Sequence, residues 1–388
     1  RAQRPGSRPL RGTKAPDEHQ TEVRRLLAAG DVLDAWGAAQ ERGVAEHLSR
    51  GDLLALVRGL RQRGYLRRAL TGADVLVERF GRDEDATLRA RIVGDVAVLD
   101  GEDGVSVDEP TKPMVPVPGR ILHVVGASLP DQQSGYTLRT HYTAIAQRQA
   151  GLEPHVVTQM GFGDPDGYET VDVDGIEYHR CPGTSRGSGA LDAWFAQNVR
   201  RVANVVAQVR PAVLHAASDL VNARTALLVG RAYGIPVVYE SRGFWEETWL
   251  QREADRYGWG DLESLEARYG LPDVYTMRRQ TEDRCRREAD AVVTLAGVMA
   301  DRIVAGGVRP EAVTVIPNGV DADRFPVLVR DPGLAASLGI TPETVTVGYV
   351  SSLVDYEGVD VLVEAVARLR RTSSVPTRLV VVGDGPEL

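Results

Sequence analysis

From Arg120 onward the chain alternates short, unbroken apolar runs with longer segments of helical periodicity. The runs are Ile121–Val125, Val156–Thr158, Ile176–His179, Val213–His215, Val237–Glu240, Ala291–Leu295 and Val313–Ile316. A strand without polar alternation is covered on both faces, which is the situation of parallel strands between helices. Thr137–Gln149, Leu191–Val209, Asp219–Tyr233, Val274–Glu288 and Val298–Ala305 read as those helices. The alternation predicts an α/β fold with a largely parallel sheet. A second unit of the same texture starts near Phe325, with strand Val345–Val350, helix Val359–Arg371 and strand Leu379–Val382. A doubly wound domain holds about six strands, so this second domain is expected to be incomplete within the chain.

Before Arg120 the texture is different. Val23, Leu26, Leu27 and Leu33, then Leu53, Leu56, Val57 and Leu60, then Leu88, Ile92, Val96 and Leu99 recur at helical spacing. Gly30, Gly51, Gly64 and Gly81 punctuate them. The chain is therefore divided as a basic disordered arm (1–17), an α-helical module (18–100) and a Pro-rich linker (101–119). An N-terminal α/β domain (120–324) and the start of a C-terminal α/β domain (325–388) follow. The helical module is expected to serve packing or oligomerisation. The first residue is Arg1, and Leu388 falls just after a strand, so a cut at both ends is expected.

Composition removes several classes. Net charge is −8, from 46 basic and 54 acidic residues, so nothing draws the whole chain to nucleic acid. No apolar run approaches the ~18 residues of a membrane span. Cys181 and Cys285 make neither a disulfide framework nor a cysteine zinc site, and a cytoplasmic location is expected. The seven histidines form neither H-x-x-x-H nor H-E-x-x-H, so no metal is expected. A Walker A loop and G-x-G-x-x-G are absent.

Several places could carry chemistry. The loop Gly126–Gly135 follows the opening strand and leads into a helix, where doubly wound sheets bind ligands. His215 closes a strand and points into the crevice or into the core. Glu240-Ser241-Arg242-Gly243-Phe244-Trp245 opens on the same edge. It is either a site for a hydroxyl-rich ligand or a salt-bridged loop. Asn318-Gly319 turns the chain between the two α/β units, as a hinge or a cleft lining. In the second unit, Val350–Gly358 joins the first strand to its helix, whose start near Gly358 suits an anion.

Taken in order, these pieces resemble the retaining glycosyltransferases of family 4, which have the GT-B fold. The resemblance spans residues 119–388. It rests on Arg120–Val125 with Ser134-Gly135 and His141, on Pro211–His215, and on Ile316-Pro317-Asn318-Gly319-Val320-Asp321. Glu357-Gly358 and Gly383-Asp384-Gly385-Pro386 complete it. Tyr239–Glu247 is similar to bacterial members of surface-polysaccharide assembly. The resemblance implies two Rossmann-like domains and transfer from a nucleotide-sugar donor to a glycan or lipid-linked acceptor. Configuration at the transferred carbon is retained, and no metal or cofactor is required.

The resemblance also places residues. It sets His215 as the catalytic residue near the transferring sugar, and Ser134, Gly135, Asn318, Gly319, Ser352, Glu357, Gly358, Gly383 and Gly385 on the donor side. Tyr136, His141, Glu240 and Arg242 fall on the acceptor side. Many members carry cations where this chain has Ser352 and Glu357, and a second histidine after His215. The glutamate pair with which the family contacts the donor is expected beyond Leu388. Peripheral membrane contact and an oligomer through the helical region are left open. In Trp245–Trp259 the acids offset the bases, which disfavours interfacial binding there. The competing readings are an epimerase on the same fold and a non-catalytic sugar-nucleotide-binding protein.

Overall fold

The computed structural model describes residues 16–388 except 321, 324, 355, 356, 386 and 387. Residues 1–15 of the expected arm, with Asp321 and Pro386, lie outside the described residues. Helices α1 (Pro16–Ala29), α2 (Val32–Glu41), α3 (Arg50–Gln62), α4 (Leu66–Phe80) and α5 (Asp83–Asp100) come first. Their apolar stripes close on one another, with Leu53, Leu56, Val57, Leu60 and Leu76 fully buried. Gly81 ends α4 and Gly101 ends α5, both left-handed, as helix ends favour.

The α/β part follows as β1 (Arg120–Val125), α6 (Gly135–Gln149), β2 (Glu153–Thr158), β3 (Glu169–Val173), β4 (Ile176–Arg180) and α7 (Leu191–Val209). It continues with β5 (Val213–Ala217), α8 (Leu220–Tyr233), β6 (Val237–Ser241), α9 (Trp245–Tyr257), α10 (Leu262–Tyr269) and α11 (Asp273–Glu288). It ends with β7 (Ala291–Thr294), α12 (Gly297–Ala305) and β8 (Val313–Val315). The eight strands make one sheet in the order β3-β4-β2-β1-β5-β6-β7-β8. Every neighbouring pair is parallel except β3 with β4.

The two faces of the sheet have different covers. Leu122, Val124, Val157, Leu214 and Ala216 meet α7, α8 and α11. On α7, Phe195, Val199, Val202, Val206 and Val209 repeat every three or four residues and are buried against them. Val125, Val156 and Ala217 face α6 through Ala144 and Ile145. Each buried aliphatic or aromatic side chain of this kind contributes about 1.5–3 kcal/mol.

Three features differ from the sequence reading. The helical region is not a separate module. Leu66, Val98 and Leu99 share the core of the sheet, and Thr281 donates to the Leu99 carbonyl at 2.6 Å. Tyr65 donates to the Gly270 carbonyl at 2.8 Å. The linker is tied down as well. Val105, Val107 and Met114 pack on the sheet core, and Arg224 holds the Asp103 carboxylate at 2.7 Å. Third, β3 and helices α9 and α10 lie where no element was read. β3 forms an edge hairpin with β4 over Asp174-Gly175, and its alternation was too short to stand out.

The chain divides into two compact units at Asn318/Gly319, inside the crossover, with the helices belonging to the first. The second unit holds α13 (Pro332–Ser337), β9 (Val345–Val350), α14 (Val359–Thr372) and β10 (Thr377–Val382). β9 and β10 pair in parallel with Val345 opposite Thr377.

Candidate active site

The carboxyl ends of β1, β5 and β6 and the start of α6 form a crevice edge in the first unit. Ser134 caps α6 through a reciprocal pair with Thr137. The Thr137 amide donates to Ser134 Oγ at 3.4 Å, and the Ser134 amide to Thr137 Oγ1 at 2.9 Å. Gly135 is exposed, and a Cβ added there would meet open space. The loop before it is held from beneath by Arg180. That side chain donates to Ser128 Oγ at 2.6 Å and the Leu129 carbonyl at 2.9 Å, and pairs with Asp131 at 2.6 Å.

At the centre of this edge a buried carboxylate is clasped by two guanidiniums. Glu240 is 1 % exposed. Arg139 Nε donates to its Oε1 at 2.6 Å. Arg242 donates to its Oε2 from Nε at 2.9 Å and from Nη2 at 2.6 Å. Burial pushes the Glu240 carboxyl up, but His215 and Arg242 beside it outweigh that and hold it well below the usual carboxylate range. Glu240 is therefore ionised, and its lone pairs are engaged.

The remaining donors of the two arginines reach outward. Arg139 Nη1 donates to Asn318 Oδ1 and Nη2 to the Ile316 carbonyl, both at 2.8 Å. Arg242 Nη1 donates to the Tyr136 carbonyl and to Thr140 Oγ1, both at 2.8 Å, and its guanidinium lies 4.9 Å from the Tyr136 ring centre. The Tyr136 hydroxyl in turn accepts from the Gly126 amide at 3.1 Å. One network thus joins the β1 loop, α6, β6 and the start of the crossover.

His215 lies under this network. β5 runs on to Ala217, so His215 sits within the strand rather than at its end, and it is 7 % exposed. Its ring stacks on His123 at 4.5 Å, and its Nε2 lies 3.3 Å from Glu240 Oε2 without forming an aligned hydrogen bond. His123 is fully buried and meets Gln147 Oε1 at 2.7 Å. Burial first, and then the neighbouring His215, push its pKa down to about 3, so it is neutral.

The expected residues fall into separate places. Tyr136, His215, Glu240, Arg242 and, through Arg139, Asn318 come together, with Ser134 and Gly135 at the adjoining helix start. His141 does not join them: it faces the edge of the sheet, meeting the Tyr178 hydroxyl at 2.8 Å and Asp174 at 3.0 Å. In the second unit the loops after β9 and β10 meet. The Leu353 amide donates to the Asp384 carbonyl at 2.9 Å, and the Ser351 amide to the Val382 carbonyl at 3.2 Å. Gly383 and Gly385 let them approach, because a Cβ on either would lie 1.9 or 2.1 Å from a backbone oxygen. Ser352 and Glu357 are exposed there, and Glu357 accepts from the Tyr349 hydroxyl at 3.4 Å. Gly358, with φ of +66°, starts α14, and Gly319 is exposed at the start of the unit.

Sequence reasoning missed Arg139, His123 and Gln147. Tyr136, Arg139, Thr140 and Gln147 share one face of α6 at helical spacing, a signal that a polar stripe under a sheet edge provides.

Residues 134–319, from the cap of α6 to the crossover, match the family model of the glycosyl transferase 4-like domain. In sequence the chain is similar to a glycogen synthase of Mycobacterium tuberculosis, 30 % identical over 181 residues, covering 46 % of this chain and 37 % of that protein. It is also similar to a D-inositol 3-phosphate glycosyltransferase of Stackebrandtia nassauensis, 37 % identical over 123 residues, covering 30 % of this chain and 26 % of that one. The chain therefore spans between about a quarter and little more than a third of the length of these curated relatives. Among solved structures, Anabaena HepE in complex with UDP aligns with a TM-score of 0.44 at 16 % identity, covering 69 % of this chain and 61 % of HepE. The UDP-N-acetylglucosamine 2-epimerase of Rickettsia bellii aligns with a TM-score of 0.37 at 12 % identity, covering 67 % of this chain and 68 % of that one.

Proposed function

We propose that this chain is part of a retaining glycosyltransferase of GT-B type. It would move a sugar from a nucleotide-sugar donor to a glycan or lipid-linked acceptor in bacterial polysaccharide or cell-envelope assembly. The observation that carries the reading is the coincidence of the family match with the elements that build the Glu240 clasp. In such a transfer a nucleoside diphosphate departs, and negative charge grows on phosphate oxygens. Fixed cations and N–H groups aimed at that charge supply the main stabilisation. The clasp holds two guanidiniums against one carboxylate, a local excess of positive charge beside the start of α6.

On this reading the first unit takes the acceptor and the transferring sugar. The loops of the second unit, with Ser352, Glu357, Gly358, Gly383 and Gly385, take the nucleotide. We assign His215 a positioning role, because it reaches the chemistry through Glu240 rather than directly. No metal or cofactor enters the proposed reaction. No helix among the described residues is long and apolar enough to cross a membrane. A cytoplasmic enzyme that meets lipid-linked acceptors at the inner membrane face fits the reading.

The test is release of nucleoside diphosphate from a panel of nucleotide sugars, with and without glycan or lipid-linked acceptors. Acceptor-dependent release is expected, and His215→Ala is expected to lower kcat about tenfold or more with KM little changed and circular dichroism preserved. Epimerised or free sugar formed without acceptor overturns transfer. Tight nucleotide binding without turnover favours the non-catalytic reading. Unchanged kcat in His215→Ala removes that residue's role.

A further inference from the structure

We infer that the chain binds one divalent transition-metal ion of the zinc type at His155, Glu177 and His179, where the sheet edge brings three ligand atoms into one cluster. The reason is register. β2 and β4 pair so that His155 lies opposite Glu177 and Val157 opposite His179. Residues two apart on a strand share a face, so all three side chains point to the same side of the sheet. That side also carries Leu122, the strand neighbour of His155, and so is opposite to His215 and the Glu240 clasp. The cluster is a separate site.

The separations suit a metal. His155 Nδ1 lies 3.2 Å from His179 Nε2 and 3.2 Å from Glu177 Oε2, and the last two atoms are 4.0 Å apart. Ligand atoms about 2.0–2.1 Å from a tetrahedral zinc ion lie roughly 3.3–3.4 Å from one another. Two histidines and one carboxylate form a recognised zinc ligand set, with the fourth position left to water. His155 is buried and His179 nearly so, while half of Glu177 faces solvent and leaves an entry path.

The outer contacts are those that ligating histidines use. The other ring nitrogen of His155, Nε2, lies 3.4 Å from Glu153 Oε1, and Glu153 is itself held by Arg120 at 2.6 Å. The other nitrogen of His179, Nδ1, meets Thr170 Oγ1 on β3 at 3.2 Å. Such partners fix the tautomer and aim the free lone pair at the ion. A bound ion would tie β2 to the β3–β4 hairpin at the edge of the sheet. The motif is invisible in sequence because Glu177 and His179 lie 22 and 24 residues after His155 and meet it only by strand pairing.

The experiment is calorimetric titration of the chelator-treated full chain with Zn²⁺, with Co²⁺ as an optical probe of the same site. One equivalent of Zn²⁺ per chain is expected, with visible Co²⁺ bands of a low-coordinate nitrogen–oxygen site and a melting temperature that rises with Zn²⁺. The double variant His155→Ala/His179→Ala is expected to lose binding. Glu177→Gln, half exposed and tolerant of folding, is expected to weaken binding about tenfold or more. Absence of stoichiometric binding by the parent chain overturns the site. So does binding that neither variant changes, because the ion would then sit elsewhere. The result does not depend on whether the chain transfers sugar.

Discussion

Glu240 shows how much one buried side chain can organise. Alone in the core, its charge would be expensive; with Arg139 and Arg242 on its two oxygens it is satisfied. Truncating one partner of such a set leaves the others charged and unpaired, which costs about 3–5 kcal/mol. Glu240→Gln keeps the shape but removes the charge. A loss of about 3 kcal/mol in urea-unfolding free energy is therefore expected, together with loosening of the crossover start, since Arg139 also holds Asn318 and Ile316. A change below about 1 kcal/mol would mean that water already screens the clasp.

At the scale of elements, the second unit depends on two loops whose backbones touch. Gly383 follows β10, and a Cβ there would lie 1.9 Å from the Ser351 carbonyl oxygen. That oxygen belongs to the backbone and cannot swing aside as a flexible side chain would. Gly383→Ala is expected to push the β9–α14 loop away from β10. The measurement is amide hydrogen exchange, with faster exchange expected of the Leu353 amide as its bond to Asp384 is lost.

Unchanged protection of the Leu353 amide, which now donates to the Asp384 carbonyl at 2.9 Å, would show that the loops tolerate the extra carbon. The same scale explains the fixed linker. Val105, Val107 and Met114 give an otherwise polar stretch enough apolar surface to stay on the sheet core.

For the whole molecule, acid stability follows from groups that the fold keeps uncharged or paired. His123 titrates near 6.5 when unfolded and is pushed down to about 3 when buried. As pH falls through 6.5 the unfolded chain takes up this proton and the folded one does not, so stability is lost between those values. One such proton corresponds to about 1.4 kcal/mol per pH unit. Glu240, held below its ordinary value of 4.5, adds a further loss as pH drops under that value. Unfolding free energies of the parent and His123→Gln, measured from pH 6.5 down to 4.5, are expected to diverge, with the variant less pH-sensitive. Parallel curves would mean that His123 is protonated in the fold.

The sequence by itself determined the α/β class, the helical start and most element positions, because apolar periodicity is local and buried parallel strands leave unbroken runs. Leu191–Val209 was read with the bounds that the structure has, since its stripe and the following proline are both written in the chain. It also singled out Glu240–Trp245 as either a ligand site or a salt-bridged loop, and Glu240 and Arg242 do form an ion pair. Only the tertiary structure decided that the helices and linker are part of the first unit, that Arg139 completes the clasp, and that His155, Glu177 and His179 converge. Each of those contacts joins residues far apart in the chain. Strand register and helix packing set them, and neither is encoded in any short stretch of sequence.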